Sequence, residues 1–291
     1  MNFPRVSWVS NEARLIWQKR LVSFAECWRQ LEWMTVVNNS RTCGLLSVSQ
    51  DELTSLASVL CDFGIRLSPL SVRSMCVDGK KLLQYRVVVG RPRELRHFHR
   101  AWRKASDDRI GELLGYPACC RAFFREMSIK EGHHNSLYAI LHNSVLNGQQ
   151  PSWLEVFGPP ETNSFWLRSG IRMVPHYPCK IDCHSTIQFA GHFKATGVKA
   201  GYLNELDTAY QVLRWPVEWS SLHGIAEVKT PIFKMCYPCD PLDSKQVIRF
   251  LGDIYPQEGA NGSAFPFDCS KLQRKAPAVL PAAALLPIHP A

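Results

Sequence analysis

Apolar positions first recur at helical spacing in "EARLIWQKRLVSFAECWRQLEWM", and that period predicts an amphipathic helix near the start of the chain. "SQDELTSLASVLCDFG" repeats the signal between a capping Ser49 or Asp51 and a terminating Gly64. Around it, "CGLLSVS", "IRLSPLSV" and "KKLLQYRVVVG" are rich in apolar and β-branched residues and read as strands. "RPRELRHFHRAWRKASDDRIGELLG" is again helical in pattern. Further helices are expected at 117–131, 134–147, 182–197 and 203–213, with strands near 171–176 and 225–235.

Together these elements predict a mixed α/β (α+β) chain. A small N-terminal α/β region is expected over 1–105, followed by a larger, helix-rich, cysteine-bearing domain with a few strands over 106–275. The last sixteen residues, "APAVLPAAALLPIHPA" (276–291), are rich in Pro and Ala without an amphipathic period, and a disordered tail is expected there.

Composition changes this picture little. The 291 residues are 46% hydrophobic and 20% charged, as in an ordinary globular protein. No run of apolar residues is long enough for a membrane span. The opening "MNFPRVSWVSNEARLIWQKR", with Glu12 and charges spaced through it, does not read as a signal peptide. A cytoplasmic protein without a membrane partner is expected. In such a reducing setting the eleven cysteines, an odd number, should not form a disulfide framework, and clustered ones point to metal binding or catalysis.

Two segments concentrate that chemistry. "LGYPACC" places Pro117 at a helix start with Cys119 and Cys120 in the first turn, where unpaired N–H groups and the helix dipole stabilise thiolates. "HYPCKIDCHS" places Cys179 after Pro178, and Cys183 after Asp182, the expected N-cap of the next helix. Cys120 has a competing reading as core, because Phe123, Phe124 and Met127 continue an apolar stripe from it. Cys27, Cys43, Cys61 and Cys76 lie singly in apolar runs and read as core. Cys236 and Cys239 form a Cys-x2-Cys, with loop cysteines and site membership both open.

Cys179 and Cys183 have zinc-knuckle spacing, whereas adjacent Cys119 and Cys120 point about 100° apart on a helix. That divergence favours the separate irons of a [4Fe–4S] cluster, with zinc as the alternative. The radical S-adenosylmethionine signature is absent, because Thr186 stands where its third cysteine belongs.

"LGYPACCRAFF" followed by "HYPCKIDCHS" resembles a family of prokaryotic domains that carry a Gly-Tyr-Pro-x-Cys-Cys motif and a later His-x-Pro-Cys-x3-Cys segment. The resemblance covers about residues 110–240. It implies that these cysteines act together, and it carries no established activity.

The net charge of +9 suggests an anionic substrate or RNA as partner. Arg93, Arg96, Arg100, Arg103 and Lys104 share a helical face, either simply solvated or in contact with phosphate, with Arg96 and Arg100 as the candidate contacts. His176 lies three residues before Cys179 and is a candidate ligand, supporting donor or proton carrier. His133, His134 and His142 are weaker candidates on the next helix. "WPVEWSSLHGIAEVKTPIFK" interleaves Trp219, His223, Glu227 and Lys229 with apolar residues, either for a small polar molecule or as an ordinary amphipathic strand. No phosphate loop, dinucleotide fingerprint or Gly-x-Ser-x-Gly elbow is present. The sequence therefore points to an iron–sulfur lyase or transferase acting on a small polar or anionic substrate. Its candidate acid–base groups are His176, His223 and Glu227, and its binding groups Lys229, Trp219, Arg96 and Arg100. The alternative is a zinc-stapled RNA-binding or RNA-modifying protein.

Overall fold

The computed structural model describes residues 5–256 apart from 78–79, 131, 133–135, 147–151 and 242–243. The architecture is mixed α+β, with two sheets. Strand β1 (Arg5–Trp8) leads into helix α1 (Asn11–Val37). The Ala13 N–H donates to the Ser10 side chain at 3.0 Å, which satisfies one of the unpaired N–H groups at the helix start. β2 (Cys43–Ser49), α2 (Gln50–Asp62), β3 (Arg66–Val77) and β4 (Lys80–Gly90) follow. Ser49 is the cap of α2, in a reciprocal capping box with Glu52. Gly64 follows that helix with φ +68°.

The predicted long helix after Gly90 is two helices, α3 (Pro92–Arg103) and α4 (Asp107–Leu113). Ala105, at φ +48°, breaks them. Then come α5 (Ala118–Phe124), continued by a π-helical turn over Arg125–Lys130, α6 (Ser136–Leu141) and β5 (Trp153–Val156). Helices α7 (His184–Lys199) and α8 (Leu203–Val212) precede β6 (Val217–Leu222), β7 (Ile225–Lys229), β8 (Phe233–Pro238) and β9 (Gln246–Phe250). Among the described residues no helix is long and apolar enough to cross a membrane.

The larger sheet has the order β1-β8-β7-β6-β9-β5, antiparallel except for the β5–β9 pair. The smaller sheet is antiparallel, in the order β2-β4-β3. The apolar run 171–176 forms no strand; Ile171, Met173 and Val174 are buried as irregular chain ahead of Pro175, which cannot donate to a ladder. The expected strand at 225–235 is a hairpin, β7 and β8. Thr230 Oγ1 closes its turn, accepting from Phe233 N at 3.0 Å and donating to Phe233 O at 2.8 Å.

The 1–105 boundary does not coincide with the packing. β1 pairs with β8 of the larger sheet, with Arg5 opposite Cys236. Helix α1 serves both cores. Trp17, Phe24, Trp28 and Leu31 lie in the main core, whereas Trp33 and Val36 join the core beneath the small sheet. Its 27 residues extend about 40 Å at 1.5 Å per residue, long enough to span the two. His133, His134 and the 276–291 tail lie outside the described residues.

Candidate metal centre

The centre is assembled from two helix starts. Helix α4 is followed by Leu114 and then Gly115, whose φ of +76° lets the chain turn sharply toward Tyr116 and Pro117. A Cβ on this residue would fall 2.9 Å from Arg41 Cβ, so packing as well as backbone geometry requires glycine. Pro117 is the N-cap of α5 and not its first residue, and Cys119 and Cys120 lie in the opening turn. Arg121 steadies this turn, donating to Tyr116 O at 2.9 Å and to Asp108 at 3.1 Å.

The second half comes from the loop before α7. Asn143 donates to Cys179 O at 2.7 Å, and Ile181 N donates to Ser144 Oγ at 2.9 Å. Thr162 donates to Ile181 O. These bonds fix an irregular loop that supplies Cys179. The N-cap of α7 is Cys183, one residue beyond the expected Asp182.

The four predicted ligands, Cys119, Cys120, Cys179 and Cys183, meet here. Their sulfurs all lie within 4.8 Å of one another and can hold a metal ion. Cys119 Sγ stands 3.9 Å from Cys120 Sγ and 3.8 Å from Cys183 Sγ, and the Cys120–Cys183 separation is 3.7 Å. Adjacency in α5 therefore does not spread the two sulfurs, because rotation about χ1 offsets the divergence of the Cα–Cβ bonds. Cys119 is exposed and the other three cysteines are buried. The stripe that gave Cys120 its core reading is not core: Phe124 is exposed, and only Phe123 packs on the thiols.

Without an ion the sulfurs share protons unequally. Hydrogen bonds from Cys120 and Cys179 hold the Cys183 thiol far below the ordinary range despite burial, aided by Thr186. The Cys179 thiol is driven up by its bonds to Cys120 and Cys183 and by burial. For Cys120, the bond to Cys179 pulls down, but the bond to Cys183 and burial outweigh it and push the thiol up to about 12. A cation among the four would replace this proton sharing with thiolate ligation.

Behind the thiols lies a relay in which His176, a candidate from the sequence, is joined by Thr186, which sequence reasoning missed. The Thr186 hydroxyl stands 3.3 Å from Cys120 Sγ and 3.1 Å from His176 Nε2. Thr186 is fully buried, and His176 is 7% exposed. The only sequence signal for Thr186 was its place three residues after Cys183, one turn into α7. His176 is thus joined to the centre through Thr186. Burial pushes its imidazole down to about 4, so the ring is neutral, and its Nδ1 is buried without a hydrogen-bond partner. A cavity of about 340 Å³ opens beside the centre, lined by Cys120, His176, Tyr177, Arg121, Arg125 and Asp108 among others.

The remaining candidates lie elsewhere. His223 is an exposed residue at φ +50° in the β6–β7 turn. Glu227 pairs with Lys229 at 3.1 Å and Lys234 at 2.5 Å, and Lys229 also reaches Glu218 at 3.2 Å. Trp219 is buried and donates to Tyr237 OH at 2.9 Å. The polar residues of this segment form a cross-strand ion-pair ladder, as the amphipathic-strand reading expects. Arg96 and Arg100 are exposed on α3, opposite buried Leu95, Phe98 and Ala101. Cys236 and Cys239 contact Glu227 and Ser221 and stand outside the four-thiol group. Cys27 and Cys43 are core thiols pushed up to about 12 by burial, while Cys61, expected in the core, is exposed. Cys76 lies on β3. No protein-family model, no curated protein and no solved structure matches the chain.

Proposed function

We propose that Cys119, Cys120, Cys179 and Cys183 hold one zinc ion, and that this staple shapes the wall of a cleft for a small polar or anionic ligand. The sulfur spacing carries the reading. A tetrahedron of thiolates about 2.3 Å from a central zinc has edges of about 3.8 Å; the Cys119, Cys120 and Cys183 sulfurs stand 3.7, 3.8 and 3.9 Å apart, and Cys179 Sγ lies within 4.8 Å of all three. The thiolates of a [4Fe–4S] cluster sit on four separate irons at its outer corners and need a wider frame. The spacing thus supports a single ion, although adjacency in the sequence favoured the cluster.

Four thiolates leave zinc no open position, which is the pattern of structural sites. The staple joins the start of α5 to the start of α7; Cys120 and Arg121 of α5 border the 340 Å³ cavity, as do Pro175, His176 and Tyr177 of the segment ahead of Cys179. Resemblance to the Gly-Tyr-Pro-x-Cys-Cys family supports the joint action of the thiols. A second reading, RNA binding by α3, is supported by the exposed Arg93, Arg96, Arg100, Arg103 and Lys104; salt-dependent RNA binding that disappears with Arg96 and Arg100 replaced would establish it.

Metal analysis after anaerobic purification tests the main reading. A colourless protein with one zinc per chain is the expected result. A brown protein with several irons and acid-labile sulfide would overturn it in favour of the cluster. A single iron without sulfide would keep the mononuclear frame and change the ion.

A further inference from the structure

A second cavity lies on the other side of Tyr116 and Pro175. Its volume is about 490 Å³, and it is bounded by α1, the open end of the small sheet and the 170–175 segment. The sheet floor follows from strand register. Arg86 stands opposite Ser47, and Gln84 opposite Arg73, and all four line the cavity. Val88, two residues beyond Arg86 on the same face of β4, is covered by residues of α3 and α4. The polar half of that face forms the cavity floor, across from α1.

Four arginines and one glutamate line this space: Arg29, Arg73, Arg86, Arg172 and Glu32. The glutamate is already engaged by buried Arg41, and Arg29 by Glu26 and Glu52. Arg73 and Arg86 have no ion pair among the described residues; Arg86 stacks on Trp102 at 5.7 Å. Arg172 lies over the Trp28 ring at 5.1 Å, approaches Glu32 only to 3.9 Å, and its Nε is buried without a hydrogen-bond partner. Arg73 and Arg86 thus border one concave space with no carboxylate partner among the described residues, and Arg172 shares Glu32 with Arg41. Low-dielectric walls focus such a field on an anion, and the planar guanidinium fork fits phosphate oxygens in pairs.

We propose that this cavity binds a phosphate-bearing small molecule, with Arg73, Arg86 and Arg172 on the phosphate. Its volume lies in the range of small-molecule sites. Leu45, Arg86, Tyr116 and Pro175 also line the cavity that reaches Cys120 and His176. The rest of the ligand therefore extends past Tyr116 toward the staple. The inference deepens the small-anion reading and is independent of the metal's identity.

Calorimetric titration of the full chain with inorganic phosphate, pyrophosphate, a set of 5′-mononucleotides and citrate tests it, with metal content measured on the same samples. The phosphate probes should bind, and the double variant Arg73→Gln/Arg86→Gln should weaken them tenfold or more while keeping its metal and its melting temperature. Lys19→Gln/Lys199→Gln, at exposed positions outside both cavities, should leave binding unchanged. Mononucleotides binding more tightly than pyrophosphate would support an organic portion reaching the second cavity; equal binding would confine the ligand to the arginine pocket and overturn that extension. Binding of citrate alone, or of RNA oligonucleotides but none of the small phosphates, would overturn the inference. So would undiminished phosphate binding in the Arg73/Arg86 variant. A zinc-loaded chain that ignores every phosphate probe fails this inference and leaves the zinc reading standing; an iron–sulfur protein whose phosphate binding falls in that variant does the reverse.

Discussion

His176 and Thr186 are buried side by side, with His176 Nε2 3.1 Å from the Thr186 hydroxyl. That hydroxyl is also 3.3 Å from Cys120 Sγ, so one side chain orients a sulfur and a neutral imidazole together. Groups in this position tune metal sites and typically contribute 10- to 100-fold in affinity. Thr186→Val, which keeps the shape and removes the hydroxyl, should weaken zinc about 10-fold or more in chelator competition. Thr186→Ser should restore most of the loss, and equal affinity in all three proteins would remove the relay from the account.

Each of the four cysteines contributes one sulfur, and serine is a poor substitute for a thiolate on zinc. Cys119→Ser, Cys120→Ser, Cys179→Ser and Cys183→Ser should each lower the bound metal well below stoichiometry by mass spectrometry and lower the melting temperature. Cys236→Ser and Cys239→Ser should retain full occupancy, because both thiols are engaged on the larger sheet.

Arg41 and Glu32 form a buried ion pair, and Arg41 also donates to Glu32 O at 2.5 Å and Thr35 Oγ1 at 2.7 Å. Arg41→Met leaves the carboxylate buried with only Arg172 nearby, at 3.9 Å. Urea denaturation should show a loss of about 3–5 kcal/mol. The double variant Arg41→Met/Glu32→Leu should recover much of it, because the stranded charge, not the missing attraction, dominates the cost.

Gly115 is in the left-handed region at φ +76° and packs against Arg41. Gly115→Ala should destabilise the chain by about 2 kcal/mol or more. It should also slacken the start of α5, read as faster metal release to a chelator. Release at the wild-type rate would separate this turn from the thiolate frame.

Burial pushes the Glu227 carboxyl upward, but Lys234 and Lys229 outweigh it and hold the group below its ordinary 4.5. A depressed folded value means a contribution present above the unfolded value and lost as pH falls through the folded one. Melting temperatures of the wild type and Glu227→Gln should therefore differ at neutral pH and converge below about pH 4.5. A constant gap across that window would assign the difference to packing.

Local signals carried far in this sequence. The Ser49 cap with Glu52, Gly64 after α2, and the two proline-marked cysteine segments were all legible, with caps displaced by one residue at Pro117 and Cys183. The meeting of those segments depends on Asn143, Ser144 and Thr162 holding the 179–181 loop, which no local period encodes. The His223–Lys229 segment carried polar residues at strand spacing, and the same alternation describes an ion-pair ladder and a ligand face equally well. The arginine pocket was illegible because Arg73, Arg86 and Arg172 come from β4, its neighbour β3 and a distant loop. The run 171–176 misled because an apolar stretch records burial, whereas the ladder depends on which neighbour offers hydrogen bonds.

Helix α1 buries one stretch in each core. Melting either core would strip one stretch of that helix of its packing, so a single cooperative thermal transition is expected. Free energy supplied at the thiolates is then felt by the small sheet as well. A ligand held between α1 and that sheet would stabilise the entire chain, not the pocket alone.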